Sequence, residues 1–269
     1  SYYHFVGEQA RIPLVLDLAS PPTVARRFAD LRFVSSGHPF CRYVSAKWRP
    51  FPAIDTSGGN VAFAALSLAE SLGAETATLY GADYSYPSGS SYARGTYIHR
   101  YFDDRASRVR PLESSFAGFL YRSDPLAREE DERGFRYVSR PLEAYRSRLE
   151  SFASRSRMRV IAARGRGVRL DLASPEPRGN GGRGFFGAGA ASTTPERFLR
   201  AYRDGLAALD GPAAPAAVHL KRLDAASRDL WTTLLPLAAA LGAGGEAEPE
   251  VALEEARRRA MELLDEELA

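Results

Sequence analysis

The chain has 269 residues and a formal charge of +3 at neutral pH, with 45% hydrophobic and 26% charged residues. These values exclude a wholly disordered or fibrous protein, and no apolar run approaches the roughly 18 residues of a membrane span. The single cysteine, Cys41, excludes an internal disulfide and a cysteine-rich zinc module. The composition therefore favours a globular protein of the reducing cytoplasm.

The basic residues are almost all arginines, because only Lys47 and Lys221 of the 36 basic residues are lysines. Arginine suits the bidentate capture of phosphate or carboxylate, although a base-composition bias in the genome would give the same excess. The sequence contains no basic stripe and no nucleic-acid-binding motif. We therefore expect an anionic small molecule as the ligand and no nucleic-acid partner.

Residues 1–172 alternate short apolar runs with helical patterns. The runs predict strands at 13–18, 32–36, 76–80, 158–163 and, with a weaker pattern, 168–172. The periodic segments predict helices at 22–29, 60–72 and 141–154. This alternation predicts an α/β domain with a Rossmann-like, mostly parallel sheet. Ligands of such sheets bind beyond the carboxyl ends of the strands.

The remaining residues divide into a linker and a helical region. Residues 173–194 are rich in glycine and proline, which predicts a linker or, alternatively, an active-site flap. Thr194 and Pro195 fit the start of a helix, and helical spacing continues over 195–269. We expect this small all-helical region to serve packing or the formation of homo-oligomers.

A glycine turn precedes the helix predicted at 60–72. Its residues are Thr56, Ser57, Gly58, Gly59 and Asn60. The glycines permit close approach of a ligand, and the hydroxyls with the free amides of a helix start could bind phosphate or carboxylate. The alternative interpretation is an ordinary strand-to-helix turn. The turn matches neither the dinucleotide-binding fingerprint nor the P-loop consensus.

A tyrosine-rich loop follows the strand predicted at 76–80, where a doubly wound sheet binds its ligands. Six of the thirteen tyrosines lie between residues 80 and 101. Phenol hydroxyls can donate hydrogen bonds to a departing phosphate, and their rings can pack against a base or sugar. The residues expected to bind here are Gly81, Asp83, Tyr84, Tyr86, Ser91 and Tyr92. The alternative is a half-buried loop in which Asp83 caps a turn.

Proton transfer has few candidates. His99 is the one histidine that follows the tyrosine-rich loop, and Asp83 lies at the predicted strand end; both are candidate catalytic residues. Asp103 and Asp104 lack the spacing and the neighbours of a metal site. We therefore expect no metal. No Gly-x-Ser-x-Gly elbow supports a serine hydrolase.

Several segments within residues 50–172 resemble the core of motility accessory factor-type flagellin glycosyltransferases. They are Thr56-Ser-Gly, an alanine-rich helix ending at Gly73, Leu79-Tyr-Gly-Ala-Asp-Tyr, Gly89-Ser-Ser-Tyr-Ala and Tyr137-Val-Ser-Arg-Pro. Those proteins share a 6-hydroxymethylpterin diphosphokinase-like domain that is similar to the bacterial sialyltransferase fold. The resemblance implies transfer of a nonulosonic, sialic-acid-like sugar from a CMP-activated donor to a protein acceptor such as flagellin. The nucleotide sugar would be the substrate, and no cofactor is implied.

The resemblance also implies roles for individual residues. Thr56, Ser57 and Gly58 would touch the nucleotide or the carboxylate of the donor. Gly81 would allow close approach, and Asp83 would hold the loop or the nucleotide. Tyr84 or Tyr86, together with Tyr92, would stabilise the leaving phosphate.

Two departures from the related enzymes affect this interpretation. Sialyltransferases of this fold have a histidine base at the position that corresponds to Arg140, so the base would be absent or supplied by His99 or Asp83. The first strand of the nucleotide pocket is not visible ahead of Ser1, so we expect the domain at 1–172 to lack it. Two alternatives therefore stay open: a non-catalytic binding or assembly module of the same fold, and a pterin diphosphokinase-like enzyme.

Overall fold

A computed structural model describes residues 13–122, 125–132, 134–172, 185–187, 189–211, 216–245 and 251–269. Contacts divide the chain into two compact units. Unit 1 comprises Asp55–Phe185, and unit 2 combines residues 13–54 with Phe186–Ala269. The sequence analysis instead assigned residues 13–54 to the same domain as residues 55–172. Local periodicity identifies helices and strands but does not indicate which distant segment each one packs against.

Unit 2 begins with strand β1 (Leu14–Asp17), helix α1 (Pro22–Ala25), strand β2 (Leu31–Val34) and helix α2 (Pro39–Lys47). The two strands pair in parallel, with Leu14 opposite Leu31. Both predicted strands are confirmed. The helix predicted over 22–29 is shorter than expected, and α2 was not predicted.

The described residues of unit 1 form four helices and five strands. In chain order they are α3 (Val61–Ser71), β3 (Thr76–Leu79), β4 (Tyr86–Pro87), α4 (Tyr97–Asp103), α5 (Leu112–Leu120), β5 (Leu126–Asp131), β6 (Gly134–Ser139), α6 (Arg140–Arg155) and β7 (Arg159–Ala162). β3 and β7 pair in parallel, whereas β4, β6 and β5 form an antiparallel sheet in that order. The core beneath β3 and β7 includes the buried side chains of Leu66, Leu149, Met158 and Val160.

The structure is thus a mixed α/β protein, but the single mostly parallel sheet is not confirmed. The strands of the described residues form two parallel pairs and one antiparallel sheet. β5 has the sequence Leu-Ala-Arg-Glu-Glu-Asp and is mostly exposed, so it has no apolar pattern that would predict a strand. Residues 168–172 are not a strand, and that prediction is wrong.

The C-terminal part of unit 2 is helical, as predicted. It contains α7 (Pro195–Ala207), α8 (Ala216–Arg222), α9 (Ala225–Ala243) and α10 (Ala252–Leu268). The Thr194 hydroxyl caps α7 by accepting a hydrogen bond from the Arg197 amide at 3.3 Å. The predicted linker falls mostly on residues 173–184, which lie outside the described residues.

Aromatic side chains join α2 to these helices within unit 2. The rings of Tyr43 and Tyr202 lie 5.3 Å apart, and those of Trp48 and Phe198 stack at 5.9 Å. The fully buried Trp231 belongs to the hydrophobic core of this unit. Among the described residues, no helix combines the length and apolarity needed to cross a membrane.

Candidate ligand-binding cleft

Unit 1 has a cleft of about 720 Å³ at the carboxyl ends of β3 and β7. Three segments line it. They are Gly81–Asp83 after β3, residues 162–165 and 167–170 at the end of β7 and beyond it, and the end of β5 with Asp131 and the following Glu132. The cleft has the volume of a small-molecule site, and it occupies the place where sheets with parallel strands bind ligands.

The loop after β7 crosses directly over Asp83. We call residues 164–168, Arg-Gly-Arg-Gly-Val, the glycine loop. The Val168 amide donates a hydrogen bond to the Asp83 carbonyl oxygen at 2.9 Å. A Cβ atom on Gly167 would lie 2.3 Å from Asp83 Cα, and one on Gly165 would lie 3.0 Å from Asp83 Oδ1. Only glycine at position 167 therefore lets the two loops meet at this distance.

The loop after β3 has an unusual backbone. Gly81 and Gly89 have φ values of 68° and 73°, and the non-glycine residues Tyr84 and Ser88 have φ values of 45° and 53°. Left-handed conformations are uncommon for non-glycine residues and cluster at functional sites. Asp83, which lines the cleft, lies within this loop, and the Ser85 hydroxyl donates a hydrogen bond to its carbonyl oxygen.

The cleft carries both signs of charge. Arg164 and Arg169 are exposed residues of the segment after β7 that lines the cleft. Asp131 and Glu132, which we call the acidic turn, contribute carboxylates from the hairpin of β5 and β6. An anionic group of a ligand would therefore be favoured near the arginines, and hydrogen-bond donors near the acidic turn.

The buried Arg136 holds Asp131 in place. Its Nη1 lies 2.7 Å from Asp131 Oδ2, and its Nε lies 3.1 Å from Glu129 Oε2. The hydrogen bond to Asp131, against the opposing effect of burial, raises the pKa of the Arg136 guanidinium above its usual value. Arg136 therefore keeps its charge and orients the Asp131 carboxylate.

The predicted glycine turn lies outside this cleft. The Ser57 amide donates to Asp55 Oδ1 at 2.8 Å, and Asn60 Oδ1 accepts from the Phe63 amide at 3.0 Å. Thr56 closes the turn through its carbonyl oxygen, which accepts from Gly59. These bonds form a turn that leads into α3, with Asn60 as its N-cap residue.

The two glycines of this turn serve close packing. A Cβ atom on Gly58 would lie 2.0 Å from the Phe63 ring. Gly59 has a φ of 76°, and its Cβ would lie 2.6 Å from the Tyr145 ring. Both positions therefore require glycine for reasons within the fold.

Tyr84 faces the glycine turn. Its hydroxyl is buried and, among the described residues, has no hydrogen-bond partner of standard geometry. Burial raises the pKa of the Tyr84 phenol, and the nearby Asn60 amide opposes that rise. Tyr84 thus connects the two predicted segments but does not line the cleft.

Tyr86, Ser91 and Tyr92, the other residues predicted to contact the ligand, lie elsewhere in unit 1. Tyr86 lies in β4 opposite Tyr137, and the Tyr92 ring meets the Phe119 ring edge-on at 5.1 Å. The buried hydroxyl of Ser91 has no hydrogen-bond partner among the described residues. The cleft includes none of these three residues.

The candidates for proton transfer are placed differently from one another. His99 lies in α4 with its ring 5.7 Å from that of Phe116, and Arg140 is the exposed first residue of α6. Neither lines the cleft, whereas Asp83 does. In the described part of the chain, no group of three or more histidine, cysteine or acidic residues could hold a metal ion.

Sequence reasoning missed most of the cleft. It did not single out Arg164, Arg169 or the acidic turn. The sequence did contain a signal for Arg164, because Arg-Gly-Arg-Gly directly follows the strand predicted at 158–163. The acidic turn carries no comparable signal, because it reaches the cleft only through the pairing of β5 with β6.

Comparison with known proteins gives a limited result. An uncharacterized protein of Treponema pallidum (strain Nichols) is 32% identical over 152 residues, which is 55% of this chain and 54% of that protein. The chain thus spans about half the length of this relative. No protein-family model matches the sequence, and no solved structure matches it significantly.

Proposed function

We propose that unit 1 is a glycosyltransferase-type domain that binds a CMP-activated nonulosonic sugar in the cleft and transfers the sugar to a protein acceptor. The observation that carries this proposal is the glycine loop, which packs against Asp83 at the carboxyl ends of two parallel strands. The loop contributes Arg164 to the cleft lining, and Arg169 follows directly after it. A donor of this kind has a phosphate and a carboxylate, and arginine is suited to both.

The proposal includes the finer features that the resemblance implies. The parallel pairing of β3 and β7 is consistent with a Rossmann-like arrangement. A cytoplasmic location, a flagellin acceptor and homo-oligomers formed through the C-terminal helices rest on the sequence alone. In the cleft, Asp83 is the residue closest in role to the missing base, since His99 lies outside the lining.

Calorimetric titration of the full chain with CMP tests the proposal. We expect CMP to bind and the double variant Arg164→Ala, Arg169→Ala to bind it at least tenfold more weakly, because two charged hydrogen bonds are lost. Arg108→Ala is the matched control, since Arg108 is an exposed arginine of unit 1 outside the cleft. No CMP binding, or equal loss in the control, would argue against the proposal.

A non-catalytic binding module is the second candidate. The observation that favours it is the position of His99 against Phe116 and outside the cleft. CMP binding without release of CMP from a CMP-sugar would support this candidate. Magnesium-dependent binding of ATP in place of CMP would instead support pterin diphosphokinase-like chemistry.

A further inference from the structure

The lining of the cleft combines two acidic residues with two arginines. Asp131 and Glu132 line the cleft together with Arg164 and Arg169. A ligand made only of anionic groups would be attracted by the arginines and repelled by the acidic turn. The charge pattern therefore suits a ligand that is anionic at one end and offers hydrogen-bond donors at the other.

The position of Asp131 is fixed before any ligand arrives. Arg136 is only 10% exposed in its side chain and pairs with Asp131 and Glu129 at once. Asp131 lines the cleft and is 30% exposed in its side chain, so a ligand in the cleft can contact it. A carboxylate that is ionised and already oriented can accept hydrogen bonds from hydroxyl groups without a cost of reorganisation.

Sugars are the donors that match this arrangement. Two neighbouring hydroxyls of a sugar ring can donate to carboxylate oxygens, which accept several hydrogen bonds when ionised. An ammonium group would also be attracted, but the arginines of the same cleft disfavour a cationic ligand. Phosphorylated or carboxylated sugars satisfy both sides.

We propose that the acidic turn is the recognition element for the hydroxyls of a sugar ring whose anionic group is bound by Arg164 and Arg169. Arg136 is its positioning residue. This inference deepens the proposed function and rests on it for the identity of the ligand. The ring is either the ribose of the nucleotide or the transferred sugar, and the experiment separates these sources.

The test is calorimetric titration of the full chain, wild type and variants, with CMP, 2′-deoxy-CMP and CMP-N-acetylneuraminic acid. Asp131→Asn and Glu132→Gln keep the side-chain shape and remove the charge. Glu130→Gln is the matched control, because Glu130 lies in the same strand, pairs with Arg128 and does not line the cleft. Circular dichroism verifies that each variant is folded.

We expect at least one acidic-turn variant to weaken binding about tenfold, the effect of one charged hydrogen bond. If ribose is recognised, CMP is weakened and 2′-deoxy-CMP binds poorly even to the wild type. If the transferred sugar is recognised, only CMP-N-acetylneuraminic acid is weakened. Unchanged affinity of both variants for all three ligands, or an equal loss in Glu130→Gln, overturns the inference.

Ribose 5-phosphate separates failure of this inference from failure of the proposed function. If CMP and its sugar conjugate do not bind, the proposed function fails. Binding of ribose 5-phosphate that Asp131→Asn weakens about tenfold would then still support the acidic turn as a sugar-recognition element. Binding that both acidic-turn variants leave unchanged, or no binding of ribose 5-phosphate, would overturn the inference as well.

Discussion

Gly167 has no room for a side chain, because its Cα faces the backbone of Asp83. A Cβ atom would lie 2.4 Å from the Asp83 carbonyl oxygen and 2.3 Å from its Cα. We expect Gly167→Ala to displace the glycine loop and to lower the free energy of unfolding of unit 1 by about 1–3 kcal/mol, the usual cost of overpacking. Urea denaturation followed by circular dichroism measures this effect.

Gly118→Ala is the control for that substitution. Gly118 lies inside α5, and a Cβ atom there would meet nothing within 4 Å. Alanine is a better helix former than glycine, so the free energy of unfolding of this variant should rise by about 0.5–1 kcal/mol. Equal effects of the two substitutions would contradict the close approach of the glycine loop to Asp83.

Two buried ionisable side chains of unit 2, the Cys41 thiol and the Tyr202 phenol, make the free energy of unfolding sensitive to alkaline pH. Burial raises the pKa of the Cys41 thiol from 9.0 to about 11, with a smaller contribution from the charge of Asp17. Burial likewise raises the pKa of the Tyr202 phenol from 10.0 to about 12, against a hydrogen bond with Thr233. The folded state therefore holds both protons more tightly than the unfolded state.

The contribution of these two groups to the free energy of unfolding is fully present below about pH 9. It is lost as the pH rises through the raised pKa of each group. The window is pH 9 to 11 for Cys41 and pH 10 to 12 for Tyr202. Two pKa units correspond to about 2–3 kcal/mol. Urea titrations at several pH values measure the effect. In Cys41→Ala the free energy of unfolding should fall less between pH 9 and 11, and in Tyr202→Phe it should fall less between pH 10 and 12. The exposed Tyr80→Phe should keep the wild-type profile, and an identical profile in all variants would refute the assignment.

At the scale of single elements, the cap of α7 offers a direct test. The Thr194 hydroxyl is the acceptor for the Arg197 amide. Thr194→Ala should cost about 1 kcal/mol of unfolding free energy in unit 2, the typical value for a lost N-cap. Thr194→Asp should restore it, because aspartate caps well and its charge suits a helix N-terminus.

The neighbouring Thr193→Ala serves as the control. Thr193 contributes its backbone carbonyl oxygen, which accepts from Trp48 Nε1 at 2.9 Å, and that bond survives the substitution. Thermal unfolding monitored by tryptophan fluorescence measures all three variants. A loss in Thr193→Ala as large as in Thr194→Ala would show that the cap is not the cause.

Elements whose signals are local could be predicted from the sequence. Helix α7 has a clear start signal at Thr194. Apolar runs mark four of the strands, β1, β2, β3 and β7. The short strand β4 and the charged strand β5 have neither, because their stability comes from pairing with β6. The candidate site was predictable at Gly81 and Asp83, which follow an apolar strand. It was not predictable at Asp131, whose place depends on a hairpin and on Arg136.

At the scale of the whole molecule, each unit has its own buried core. Leu149 is fully buried in unit 1 and Leu206 is fully buried in unit 2. Truncation of either leucine to alanine should cost about 2–5 kcal/mol. Both tryptophans, Trp48 and Trp231, lie in unit 2, so tryptophan fluorescence reports on that unit.

We therefore expect Leu206→Ala to lower the urea midpoint seen by tryptophan fluorescence. Leu149→Ala should lower the midpoint seen by far-ultraviolet circular dichroism and leave the fluorescence midpoint in place. The two variants are matched in residue type and burial. Equal shifts of both signals in both variants would mean that the chain unfolds as one cooperative body.

The order in which a ribosome makes this chain conflicts with the order in which unit 2 is assembled. Residues 13–54 are synthesised before the helices that cover α2, which follow only after Phe186, about 130 residues later. At about 5–20 residues per second, Phe40, Tyr43 and Trp48 would await their partners for roughly 7–25 seconds. These aromatic side chains therefore stay exposed during synthesis, and a circular permutant that makes residues 186–269 directly before residues 13–54 should shorten that exposure.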